Sequence, residues 1–442
     1  MARKPLDRPN PSRRSVLLGA IAASGALARP VLAQTATLQV VTSFPEELTT
    51  RYEQEFEKAH AGAHVQFVWK QSRDALEQLS RADQGGADVY WAASLGNFPI
   101  LRDRGALRAL EVDRAVLPGK LGAQQLSDPS GFFEAYDIAG YGVAINPALL
   151  AERGLKTPRA WRDLAAPAYA GQFVMPLAGK VGFAPALYDI ILQSEGWEEG
   201  WALLSEICGA SELLAQGGGP VSAVKEGQAP LGLTIDFLAL QARANGLPVD
   251  FVYPERTAFL PGHVAITATT RQFELAKTFV DFTLSRAGQR LMMESDSSRH
   301  PARPDAYEGK RAAANVDPFA LPPSASFAYD TEIGRRRPGL VVALFEVMLN
   351  ERRAKIAPLW RAIHAAEAKK PLGGEALTTL KEARRLAGLV PVSARDASDL
   401  TLLERFAKRD AIDPALMQKW RAEIDAAQTQ AQDLLAGLGI AP

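Results

Sequence analysis

Between residues 38 and 92 this 442-residue chain alternates between two structural periods, and that alternation restricts its fold more than any other feature. Residues 38–43 form a short apolar run that reads as a strand. Pro45 suits a first helical position, where its missing N–H leaves no bond unmade. Leu48, Tyr52 and Phe56 then share one helical face, and Gly62 ends the helix. Residues 64–69 alternate as a strand, 72–83 read as a helix, Gly85-Gly86 breaks it, and 87–92 is a third strand. Such a β-α-β-α-β succession requires a parallel sheet with helices on its faces.

A second series follows. It has a strand at 172–175, helices over 185–194 and 197–208, a glycine loop at 217–219, a strand at 231–235 and a helix over 237–244. Residues 136–146 make a longer apolar strand with glycines at 140 and 142. Further strands at 249–253 and 263–267 lead into helices over 272–284 and 286–294. The spacing predicts two α/β units, with the chain passing between them near 136–142 and 253–257. Beyond 331 the period is helical throughout, from the Leu340, Val341, Leu344, Phe345 and Met348 face to the Asp413-Pro414 pair that opens a last helix. Pro322-Pro323 marks the linker before it. The expected organisation is a leader over 1–33, lobe 1 from 34–138 and 257–330, lobe 2 over 139–256, and a C-terminal helical region over 331–442. That region is expected to pack on lobe 1; a docking or sensing surface is the other reading.

Charge narrows the function. Basic and acidic residues number 50 each, so no basic stripe for nucleic acid is indicated. The segments 1–33, 34–330 and 331–442 carry +5, −9 and +4. Ser12-Arg13-Arg14-Ser15-Val16-Leu17-Leu18 resembles a twin-arginine export signal. The apolar run after it, 16–28, has about 13 residues where a membrane span needs about 20. Val31-Leu32-Ala33 offers small residues for cleavage, so the mature chain is expected to start near Gln34, in the periplasm. The single cysteine, Cys208, sits in an apolar helical run and reads as a core residue. The five histidines show no metal spacing, and no nucleophile elbow, phosphate loop or paired carboxylates appear at a strand end. Neither a metal nor a cofactor is indicated, and the chain is not expected to be an enzyme.

Several segments, in order, resemble the type II periplasmic solute-binding proteins of ABC importers, in their iron(III)/phosphonate-like branch. They are Asp88-Val89-Tyr90-Trp91-Ala92, Tyr141-Gly142-Val143-Ala144-Ile145-Asn146, and the Pro158, Trp161, Asp163, Leu164, Pro167, Tyr169, Gly171 series. Gly232-Leu233-Thr234-Ile235-Asp236, Phe279-Val280-Asp281-Phe282 and Arg299-His300-Pro301 continue the match, which spans about 38–310. The resemblance implies a two-lobed α/β fold that closes on a small charged solute and delivers it to the permease's transmembrane subunits, as a monomer touching the membrane complex only peripherally. It implies a phosphonate-like oxyanion, a zwitterion or an iron(III)-type ligand. A ligand-sensing or docking protein, or an exported enzyme, are the alternatives. Iron-binding members carry two adjacent tyrosines where this chain has Phe237-Leu238, so phenolate ligands are missing there.

Ligands of open parallel sheets bind beyond the carboxyl ends of the strands. That rule selects Thr42, Ser43 and Ser94 in the first unit. It selects Lys180, Gly218, Gly219, Ser222 and Asp236 in the second, with Tyr253 and Glu255 at the return crossing. Each also has a structural reading. Thr42, Ser43, Ser94 and Asp236 are placed to cap helices, Lys180 to sit in solvent, the glycines to make a flexible break, and Tyr253 and Glu255 to serve the hinge. Four to six hydrogen bonds to such a solute would give affinity of about −8 kcal/mol.

Overall fold

The computed structural model describes residues 37–122, 124–309, 316–321, 327–368, 373–407 and 413–440; the leader expected over 1–33 lies outside them. Lobe 1 opens with β1 (Thr37–Thr42), α1 (Glu46–Ala59), β2 (His64–Trp69), α2 (Ser72–Leu79), β3 (Val89–Ala92) and α3 (Asn97–Asp103), followed by the short strands β4 (Leu107–Arg108), β5 (Lys120–Leu121) and β6 (Gln124–Gln125). β1 pairs in parallel with both β2 and β3, as the alternating periods require. β3 is buried at every position, which is why it reads as an unbroken apolar run. α1 turns Leu48, Tyr52 and Phe56 onto this sheet. The Tyr52 and Phe44 rings meet Trp91 at centroid distances of 4.8 and 5.0 Å.

β7 (Glu134–Ile145) then leaves lobe 1. Lobe 2 comprises α4 (Pro147–Glu152), β8 (Phe173–Pro176), α5 (Ala184–Glu195), α6 (Trp197–Gly209), β9 (Ser211–Leu214), α7 (Gly219–Lys225), β10 (Leu231–Ile235), α8 (Asp236–Ala244) and β11 (Asp250–Val252). β12 (Phe259–Thr267), α9 (Phe273–Leu284), α10 (Arg286–Leu291) and β13 (His300–Pro301) return to lobe 1. The strands run in the order β2-β1-β3-β12-β7-β10-β8-β9. β7 pairs with β12 between Glu134 and Gly140, and with β10 from Tyr141 to Ile145. One strand therefore serves both lobes. At the changeover, a Cβ on Gly140 would come within 2.5 Å of the Tyr253 ring and 3.0 Å of an Asp236 carboxylate oxygen. Glycine is what lets the two crossing segments touch.

The C-terminal region is helical, as its period predicts: α11 (Thr331–Arg336), α12 (Pro338–Phe345), a π-turn over Glu346–Asn350, α13 (Arg353–Ala368), α14 (Gly374–Ala387), α15 (Leu400–Ala407) and α16 (Pro414–Gly437). It packs on lobe 2, which corrects the expectation of lobe 1. The reason lies in α6, which buries nine of its 13 residues. A helix with one partner buries a single stripe; α6 needs cover on a second side. α13 and α14 supply it. Trp360 Nε1 donates to Ser205 Oγ at 3.0 Å, Trp197 Nε1 donates to the Val392 carbonyl at 2.7 Å, and Tyr188 stacks on Phe345 at 4.7 Å. Tyr188, Trp201 and Ile207 share one continuous core with Leu344, Trp360 and Leu435. Cys208 lies inside it, fully buried, and burial pushes its thiol up to about 12. No helix among the described residues is long and apolar enough to cross a membrane.

Candidate functional site

The carboxyl ends of β1, β2 and β3 face those of β8 and β10 across the seam between the lobes. The seam has a buried floor and an open rim.

The floor is where β7 changes lobe. Asp236 closes β10 and is fully buried. Its carboxylate accepts from the backbone N–H of Gly140 at 2.6 Å, from that of Phe237 at 2.7 Å and from the Tyr253 hydroxyl at 3.1 Å; His300 Nε2 lies 3.2 Å away. Tyr253 Oη and His300 Nε2 are also 2.9 Å apart. Burial, with the Asp236 charge adding to it, holds the Tyr253 hydroxyl well above its ordinary value, so it stays a proton donor. Beside this group Arg299 pairs with Asp137 at 2.7 Å, both almost fully buried. Burial pushes the Asp137 carboxyl up while Arg299 pulls it down. The Arg299 guanidinium lies 5.0 Å from the centre of the Phe44 ring and 4.0 Å from that of Phe237. Phe44 follows β1 in lobe 1 and Phe237 follows β10 in lobe 2, so one arginine is held between an aromatic ring from each side.

The rim is a cavity of about 880 Å³. Gln71 reaches it from lobe 1, the loop 178–182 after β8 from lobe 2, and Arg335, Arg336, Phe406 and Met417 from the helical region. Lys180 is exposed there. Arg335 ion-pairs with Glu332 at 2.6 Å. A Cβ on Gly96, in the loop after β3, would lie 3.7 Å from Arg335 Cβ, so α11 touches lobe 1 as well. The same segment is tied to lobe 2 through the Tyr329 hydroxyl and Asp189 at 2.7 Å, and through Arg337 and Asp189 at 3.2 Å.

The residues selected from the sequence divide between these layers. Asp236 and Tyr253 meet on the floor, satisfied by protein partners. Asp236 is therefore not placed as an open ligand contact, because its carboxylate is fully buried among protein donors. Thr42 is buried, and its hydroxyl accepts from the Phe44 backbone N–H at 3.1 Å, fixing the turn after β1. Ser43 next to it is half-buried. Ser94 is buried and hydrogen-bonds to exposed Ser72 at 2.7 Å. Lys180 stands at the rim. The glycine loop lies beside it, with Gly217 facing Val181 and Phe183, Gly218 open, Gly219 against Leu214, and Ser222 half-buried in α7. Glu255 is exposed, and its backbone is pinned to the Arg159 carbonyl at 2.7 Å in lobe 2; nothing brings its carboxylate to the others. Gln71, Arg335 and Arg336 were not selected. The three consecutive arginines 335–337 were the visible signal for two of them. Among the described residues no three His, Cys, Asp or Glu side chains come together as a metal site.

A single sheet in which one strand serves both lobes, with the lobes facing across their strand ends, is the type II periplasmic-binding-protein fold, here with helices added at the carboxyl end. Residues 110–326 match the model of the bacterial extracellular solute-binding protein family. The chain is 29% identical over 287 residues to the phosphoglycerate transport regulatory protein PgtC of Salmonella typhimurium, covering 64% of this chain and 69% of that one. Among solved structures it resembles the periplasmic binding protein AfuA of Actinobacillus pleuropneumoniae, with fructose-6-phosphate bound. That match has a TM-score of 0.54 and 20% identity, over 68% of this chain and 93% of the other. It also resembles iron-bound HitA of Pseudomonas aeruginosa, at TM-score 0.57 and 18% identity, over 70% and 97%.

Proposed function

We propose that this protein is exported to the periplasm, captures a small anionic solute by closing its two lobes, and presents the closed form to an ABC permease. The observation that carries the reading is β7. A strand that changes partner at Gly140 lets the lobes turn about the crossing while their strand ends stay opposed. The two solved relatives named above carry fructose-6-phosphate and iron. Their cargoes suggest two chemistries, and the floor favours the first. Where iron binders place two tyrosines, this chain has Phe237, whose ring lies against the Arg299 guanidinium, so the phenolate oxygens that would hold Fe(III) are missing. The test is a melting-temperature screen of residues 34–442 against a solute library, followed by small-angle scattering. A solute at 100 times its dissociation constant stabilises by about 2.7 kcal/mol and is expected to shrink the radius of gyration. A library that shifts nothing overturns the reading.

A second reading, a receptor that reports solute to a regulatory partner, is favoured by the helical region fused to lobe 2 and by the word regulatory in the name of the PgtC relative. Deleting the gene separates the two: loss of uptake from cells already expressing the permease supports transport, whereas loss of induction alone supports sensing.

A further inference from the structure

We infer that the C-terminal helical region completes the solute site: Arg335 and Arg336 at the end of α11, with Lys180 of lobe 2, hold a small organic dianion such as a phosphate ester. The inference rests on the receptor reading above and names its ligand class.

The rim cavity, at about 880 Å³, lies within the range of small-molecule sites. Three cations line it against one carboxylate, Glu346, and that carboxylate is occupied by the Asn350 amide at 2.9 and 3.1 Å. Among the described residues Lys180 and Arg336 have no acidic partner. Arg335 has Glu332, whose side chain is 64% exposed and free to turn into water. Cations that line one cavity with little counter-charge repel one another, and an anion between them offsets that repulsion. A guanidinium offers paired N–H donors that match a phosphate or carboxylate edge, and an ammonium adds a point charge. The same cavity is also lined by Val342, Phe406 and Met417, which are apolar and suit a carbon body. Gln71 brings a neutral amide from lobe 1, so a ligand lying on the cations would be touched by both lobes and by the helical region together.

The experiment is titration calorimetry on residues 34–442 at physiological salt, with 3-phosphoglycerate, inorganic phosphate and glycerate as probes. The phosphate ester is expected to bind at least tenfold more tightly than glycerate or inorganic phosphate. Lys180→Ala and Arg336→Ala are each expected to weaken it tenfold or more, Arg336→Lys less so, and Lys225→Ala on α7 not at all. Lys180 is exposed, so its replacement reads binding without threatening the fold. Parent affinity retained in both Lys180→Ala and Arg336→Ala overturns the rim site while the receptor reading stands. A parent that ignores all three probes but is stabilised by an uncharged or cationic solute overturns the ligand class. A parent that responds to no solute in the library overturns the receptor reading itself.

Discussion

Asp236 shows how one side chain can carry more tasks than its place in the sequence suggests. From the sequence it is a carboxylate at a strand end, where ligands bind. In the fold it is the anchor of the hinge, facing the Gly140 N–H, the Phe237 N–H, the Tyr253 hydroxyl and His300. Removing it leaves several donors buried without an acceptor, at about 1–3 kcal/mol each before relaxation. Asp236→Ala is therefore expected to lower stability by about 3 kcal/mol in urea unfolding, within the range for breaking a buried charged group. A stability equal to the parent's would refute the anchor. The two readings are indistinguishable in the sequence because the partners lie 96 and 17 positions away. Nothing local to the Ile235-Asp236-Phe237 step says which way the carboxylate faces. Thr42 is similar: its hydroxyl accepts from the Phe44 N–H and fixes its own turn, and it does not cap α1, whose first turn carries no side-chain cap.

At the scale of elements, the strands and helices of the two series were legible because their periods are strong, and β1 to β3 pair as the alternation demands. β9 was not read, since four residues at a sheet edge carry too little pattern. The helices beyond 331 were legible as helices, but their partner was not. Helical period fixes which face is apolar and is silent about what covers it. The cover is visible at α6, α13 and α14, where Glu206 joins His364 at 3.0 Å and also pairs with Arg384. Hydrogen bonds that His364 donates to Glu206 and Glu367 raise its pKa from 6.5 to about 9. A raised folded value means the stabilisation is complete below pH 6.5 and is lost as pH climbs through about 9. The melting temperature of the parent is expected to fall across that window more than that of His364→Gln. Parallel pH profiles for the two proteins would remove His364 from the junction.

At the scale of the molecule, lobe 2 and the helical region are one folding unit, because Tyr188, Trp201 and Ile207 are buried in the same core as Leu344 and Trp360. Each large side chain uncovered costs about 1.5–3 kcal/mol, and several would be uncovered at once. A chain ending at residue 330 is expected to aggregate or to lose its cooperative transition in calorimetry. A truncated monomer with the parent's melting temperature would show that the unit divides at 331.

That fusion makes the hinge lopsided. The heavy leaf holds α11 and its arginines, while the light leaf reaches them through the loops around Gln71 and Gly96. A membrane complex gripping the heavy leaf alone would sense almost nothing when cargo arrives. If the lobes close as proposed, a partner that straddles the stitch between Gly96 and Arg335 would feel both leaves at once.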